Sequence, residues 1–392
     1  MNLAKYVAVA VAGLLGVAFC RAVDEPLCAV TIRARVPANA PTVYLTGNRP
    51  EMGDWNPAFF PMSGTGGDRV AALHLPRGAA LEFKVTLGSW DREGLGPGGA
   101  TLPNFRLAVD ADTNITVEIS DFKKGIGQYL ADPQGSGVAG RLIYWTNVAS
   151  KFLVEPRHVE IWLPPGYDES PTNRYDVLYM HDGQNLFDPR IAFGGVDWGV
   201  DQAIVRCVRA GIIKPVIVVG VWNSALRLRE YSPWDLGTNY ARFLIEELMP
   251  RVNQTFRTQA GPAHTAVMGS SMGGLISFWL AWKHPDVFSS AGCLSTSFPW
   301  TGHVPSVGAP LIEREIAANA SVPRGVRFYF DYGTGRIDRE CAPEQGRVAA
   351  WLAAQGLKEG ADFVVRVFPG ADHNESAWRA RLDEPLVFLF GE

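Results

Sequence analysis

Residues 268–275 read MGSSMGGL, a serine framed by glycines in a chain of 392 residues. Only one G-x-S-x-G frame fits. Gly269 and Gly273 bracket Ser271, whereas the same frame around Ser270 meets Met268 and Met272. With 41 glycines in the chain the pattern alone carries little, so its surroundings decide. Ala266-Val267-Met268 closes an apolar strand. Leu275, Ile276, Trp279 and Leu280 then recur at helical spacing, and His284-Pro285 ends the helix. Ser271 is therefore expected on a sharp strand-to-helix turn that holds its hydroxyl outward. The helix N-terminus aims free N–H groups at it, and the Met272 amide is placed to receive an oxyanion. The alternative is a glycine-rich turn with no chemistry.

Around this turn, from about Arg141 on, apolar strand-like runs alternate with helical stretches. The strands are RHVEIWLP, YDVLYMHD, KPVIVVGVW, HTAVMG, VRFYFDYG and FVVRVF. The helices are VDQAIVRCVRAG, NYARFLIEELMPRVNQ, GGLISFWLAWKH and GRVAAWLAAQG. Such alternation predicts a largely parallel, doubly wound α/β sheet over residues 140–392. Upstream, VTIRARV, TVYLTGN, AALHLPRG, LEFKVTLG and NITVEIS follow one another about every ten residues. That spacing predicts an all-β, immunoglobulin-like sandwich over residues 27–122. Residues 123–139 read as a linker. Gly135, Gly137 and Gly140 make a G-x-G-x-x-G, but a linker precedes it and the strand-like RLIYWTN follows, so it is no dinucleotide site.

A serine attacks only with a base beside it, usually a histidine held by a carboxylate. Three histidines follow Ser271. His284 ends a helix, and His303 lies in the irregular WTGHVPSVG. His373 stands in the loop after FVVRVF, where a doubly wound hydrolase places its base. The order Ser…Asp/Glu…His puts the acid between them. Asp338, just past VRFYFDYG, is the first choice. Glu340 is its competitor, Asp331 lies inside the strand, and Asp372 orders its own loop. A second oxyanion donor is expected from MHDGQNLFD, where Gly183 lets the backbone turn inward and presents the Gln184 amide. Asp182 in that loop either meets substrate or satisfies loop N–H groups, and His181 is open to the same structural alternative. Trp198, Trp222, Trp234 and Trp300 are candidates to line a groove or to pack.

The first residues, MNLAKYVAVAVAGLLGVAFC, place one lysine before an apolar run from Tyr6 to Cys20. That run suits a signal peptide over residues 1–22, cleaved after Ala18 or Ala22, and an exported protein with no membrane span thereafter. A retained membrane anchor is the alternative. The net charge is −4 with no basic block, which argues against a nucleic-acid partner. Cys28, Cys207, Cys293 and Cys341 are free to pair in an exported chain, in any of three connectivities. No C-x-x-C or H-E-x-x-H is present. Neither a metal nor an organic cofactor is expected.

The C-terminal part resembles the esterase D / enterochelin-esterase family of α/β hydrolases, which includes feruloyl esterases and the antigen 85 proteins. The resemblance rests on MHDGQNLFD, VDWGVD with Trp198, GSSMGG, DYGTGRID, and GADHNESAW followed by a terminal apolar strand. It implies a Ser271–Asp338–His373 triad and an oxyanion hole from the Gln184 and Met272 amides. The N-terminal part resembles a starch-binding module of the CBM20 or CBM48 type, on VYLTGNRPEMGDWNP, LEFKVTLGSWD and PNFRLAV. That likeness implies a glucan site at Trp55, Lys84 and Trp90, with indole faces stacking on the sugar. The alternative leaves both tryptophans in the core. The expected function is hydrolysis of a carbohydrate-linked ester of feruloyl or acetyl type, or of a siderophore ester, through an acyl-enzyme. The alternatives are acyl transfer to a saccharide from the same serine, and a non-catalytic carbohydrate-binding protein.

Overall fold

A computed structural model describes residues 27–125, 137–299, 311–318 and 321–391. The leader, most of the linker, and Trp300 and His303 lie outside the described residues.

The N-terminal strands are β1 (Leu27–Arg35), β2 (Tyr44–Gly47), β3 (Phe60–Pro61), β4 (Asp68–Pro76), β5 (Ala79–Thr86), β6 (Gly94–Leu95), β7 (Phe105–Val109), β8 (Thr113–Glu118) and β9 (Asp121–Phe122). They form sheets of order β4-β1-β8 and β3-β2-β5-β7, with β6 and β9 as a small pair. Side chains alternate across a pleated strand, so one face of β1 can be apolar and the other wet. Cys28, Val30, Ile32 and Ala34 accordingly face inward. They share one core with Leu45, Leu81, Phe83 and Val85 of the other sheet. This is a strand-rich domain with its own interior.

The C-terminal strands are β10 (Arg141–Val148), β11 (Arg157–Leu163), β12 (Asp176–His181), β13 (Val216–Val221), β14 (Thr265–Ser270), β15 (Ser290–Leu294), β16 (Arg327–Gly333) and β17 (Phe363–Phe368). They form one sheet in the order β10-β11-β13-β12-β14-β15-β16-β17. The two contacts of β11 are antiparallel and the pairings from β13 to β17 are parallel. Helices on both faces explain the continuous apolar runs. Alternate residues of a single strand serve two cores: Val177 and Tyr179 lie in one, Leu178 and Met180 in the other. This is the α/β-hydrolase fold, preceded by the β domain.

One expectation about the sheet fails. The apolar segment after GADHNESAW is a helix, Asp383–Phe390, not a strand. Leu382, Leu386 and Leu389 recur at intervals of four and three and are all buried, which is helical rather than period-two spacing.

The two parts meet directly. The Trp90 ring stands edge-on to Phe193 with centroids 5.7 Å apart, and Lys123 Nζ donates to the Ala192 carbonyl at 3.2 Å.

Candidate active site

Ser271 is the last residue before the Met272–Lys283 helix, at φ 57° and ψ −122°. An L residue rarely holds such angles, and the surrounding sequence enforces them. A Cβ on Gly269 would lie 2.8 Å from the carbonyl group of Gly273, so the strand end and first helical turn close only with glycine there. The Ser271 N–H donates to the Leu294 carbonyl at 2.9 Å, tying the turn to β15. Ser271 Oγ lies 3.0 Å from Ser297 Oγ.

His373 lies in the turn between β17 and the Glu375–Arg381 helix. Its Nδ1 is 3.0 Å from Asp338 Oδ1, and its ring stands against Trp378 at 5.1 Å. Asp338 is fully buried. Its Oδ2 accepts from the Gly333 N–H at 2.6 Å and from Ser295 Oγ at 2.9 Å. Burial opposes the charge, but hydrogen bonds from His373, the Gly333 amide and Ser295 outweigh it and hold the carboxyl below its usual range. Of the competing acids, Glu340 is exposed. Asp331 is buried and paired with Arg381 at 2.8 Å. Asp372 accepts from the His373 N–H within its own loop and from Arg336 of the loop after β16. Of the other histidines, His284 is half-buried against Trp279.

Ser271 and His373 line one cavity of about 280 Å³. Among the described residues no hydrogen bond joins them, and Ser271 Oγ is turned to Ser297. Such bonds often tighten only with substrate in place, and a serine hydroxyl reorients by a single χ1 rotation. Gln184 lines the same cavity from the 3-10 turn Gly183–Asn185 after β12. Gly183 is required there, because a Cβ would lie 2.6 Å from the Gly220 carbonyl carbon. Met272 is the first residue of its helix, so its N–H has no acceptor within that helix.

Two sequence expectations are corrected, and the cysteine pairing left open is answered. Lys84 does not reach a ligand. It is buried, paired with Glu93 and with the Leu102 carbonyl, because it stands on the face of β5 opposite Phe83 and Val85, where Phe193 of the hydrolase domain covers it. Trp198 is 2 % exposed and packs on Trp378 with centroids 5.5 Å apart, so it belongs to the core and not to the cavity wall. The four cysteines are buried and unpaired.

Asp182 does line the cavity, but its carboxylate is taken up by Arg227, at 2.7 Å to each oxygen, and by Asn223 Nδ2 at 2.6 Å. His181 is a structural residue: its Nδ1 lies 2.9 Å from the Tyr240 hydroxyl, and burial holds its pKa down to about 3, so the ring is neutral. Trp222 is buried with its ring against His158, and Trp234 packs on the core. Trp55 and Trp90 line the same cavity as Ser271.

The sequence reading missed Ser297, Ser295, Arg227 and Glu375. Glu375 lines the cavity, and burial first, then the Asp182 charge, pushes its pKa up to about 7. Its place two residues after His373 was the available signal. Asp338, Cys341 and His373 together lie within metal-ligand reach of one another. Burial pushes the Cys341 thiol up to about 12, however, and Asp338 is already spent on His373, so the cluster reads as a histidine–carboxylate pair.

Comparisons with known proteins bear on the family and the fold. The model of the Esterase family, described as "Putative esterase", matches residues 150–389. The chain is 23% identical over 255 residues to the uncharacterized protein YbbA of Bacillus subtilis, spanning 60% of this chain and 93% of YbbA. It is 25% identical over 262 residues to an endo-1,4-beta-xylanase/feruloyl esterase of Xylanibacter ruminicola, covering 64% of this chain and 31% of that protein. The enterobactin esterase FES of Shigella flexneri, solved with enterobactin, superposes with a TM-score of 0.52 at 16% identity over 92% of each chain. The likeness in fold thus extends over both parts of the molecule.

Proposed function

The chain belongs to the Esterase family and is a carboxylic ester hydrolase, and from that premise we propose that it is an exported serine esterase working through Ser271, His373 and Asp338. His373 takes the Ser271 proton as Oγ attacks the ester carbonyl. The Gln184 and Met272 amides receive the oxyanion, a term worth about 3 kcal/mol for one donor. His373 then gives its proton to the departing alkoxide, leaving an acyl-serine. Water attacks that ester with His373 again as base, the acid departs, and Ser271 recovers its proton. Asp338 holds the imidazole tautomer and stabilises the imidazolium.

The observation that carries this reading is the 3.0 Å His373–Asp338 contact at the rim of the cavity that holds a strained Ser271. A relative named as a feruloyl esterase and a structural neighbour named as an enterobactin esterase support the substrate class proposed here. A carbohydrate-linked ester of feruloyl or acetyl type, or a siderophore ester, fits that chemistry. The apolar run Tyr6–Cys20 supports export.

The test is covalent. Diisopropyl fluorophosphate is expected to add one phosphoryl group per chain, placed on Ser271 by peptide mass spectrometry. Labelling at another serine, or none, sinks the assignment.

A further inference from the structure

Trp55 and Trp90 were expected on a glucan-binding face of the N-terminal domain. In the fold they look into the hydrolase domain: both line the cavity that holds Ser271 and His373. Their ring centroids are 6.4 Å apart and their planes meet at 43°. That is too close and too tilted for a third ring to enter between them, so a ligand ring lies against a bent indole wall.

The wall is held from both sides. Asp54 and Trp55 are consecutive non-glycine residues at positive φ, 46° and 67°. The Trp55 N–H is fixed to the Gly47 carbonyl at 2.7 Å. Trp90 packs edge-on against Phe193 of the hydrolase domain. Beneath them Glu93 pairs with both Lys84 and Lys123, and Lys123 reaches across to Ala192. These three charged side chains are almost wholly buried. Each leans on another to offset its desolvation. Lys84, expected to hold a sugar hydroxyl, instead builds the wall.

Asp54 and Asn104 line the same side of the cavity. A carboxylate and an amide beside an indole wall match a ring that carries hydroxyls on its edge and C–H groups on its face.

We propose that the N-terminal domain supplies the sugar subsite of the ester site itself. A saccharide ring rests on Trp55 and Trp90 while the ester it carries reaches Ser271. The inference rests on the esterase reading, and it replaces a remote glucan anchor with a subsite continuous with the reacting serine.

The test follows p-nitrophenyl acetate hydrolysis by the full chain with maltotriose, cellotriose and xylotriose as inhibitors. Wild type is compared with Trp55→Ala and with Trp90→Phe, which keeps a ring against Phe193, and thermal melting checks that each is folded. At least one trisaccharide is expected to inhibit competitively, with Ki raised about tenfold in Trp55→Ala. A smaller rise is expected in Trp90→Phe. Noncompetitive inhibition, no inhibition by any trisaccharide, or an unaltered Ki in both variants overturns the proposal. Failure of wild type to hydrolyse the ester is a different result: it removes the esterase reading, and this inference with it.

Discussion

His373 Nδ1 lies 3.0 Å from Asp338 Oδ1, and the carboxylate it faces has no exposure to solvent. Three further donors, the Gly333 N–H, Ser295 Oγ and the weakly donating Cys341 Sγ, converge on that carboxylate. A buried charge so held fixes the orientation of the ring that meets it, which is what a base must have before it can act on a hydroxyl across a cavity.

Asp338→Asn keeps the shape and removes the charge, so Nδ1 loses the acceptor that fixes its tautomer. Turnover of p-nitrophenyl acetate is expected to fall by about 10³–10⁴ in kcat, with a small change in KM. Glu340→Gln, on an exposed neighbour, is expected to stay within about twofold. Reversed outcomes would give the acid role to Glu340.

Lys84 and Glu93 form a buried pair in the seam between the domains. Lys84→Met leaves Glu93 with Lys123 alone. Urea unfolding of the full chain is expected to show a loss of about 3 kcal/mol. A change within error would mean that the pair contributes no net stability.

Glu375 gives a pH signature. Its carboxyl is raised from 4.5 to about 7, mainly by burial. Near pH 4 the group is protonated whether folded or unfolded, and it contributes nothing. As pH rises toward 7 the unfolded chain releases the proton while the folded chain keeps it, so the folded state loses stability. Above 7 the loss is constant. Glu375→Gln should therefore melt with wild type near pH 4 and be more stable above pH 7, by on the order of 1–3 kcal/mol. Equal melting temperatures at pH 8 would contradict the buried-acid account.

What could be read from the sequence was local. The strand-to-helix turn at Ser271 carries its own signature in Gly269 and Gly273, because the close approach that demands glycine occurs within five residues. The loops holding His373 and Asp338 follow strands whose apolar runs are unmistakable. Side-chain direction was less legible. Lys84 looks like a surface lysine, on the face of β5 opposite Phe83 and Val85, until the hydrolase domain covers it over Glu93. Trp198 looks like a groove residue until Trp378, 180 positions later, packs on it. Ser295 and Arg381 come from distant segments and meet only in the fold, at 2.7 Å. The terminal helix was misread because PLVFLF is apolar throughout, and a short apolar run does not distinguish strand from helix. The place of Trp55 and Trp90 on the cavity was not legible either. That placement depends on how two domains dock, which no spacing within either domain encodes.

The central claim is that Ser271 is a nucleophile served by His373. The most direct measurement compares p-nitrophenyl acetate hydrolysis by wild type, Ser271→Ala, His373→Ala and the double variant. The account predicts turnover by wild type, losses of several orders of magnitude in each single variant, and little further loss in the double, because the two residues act as one unit. Single variants that retain wild-type rates, or losses that multiply in the double variant, would contradict it.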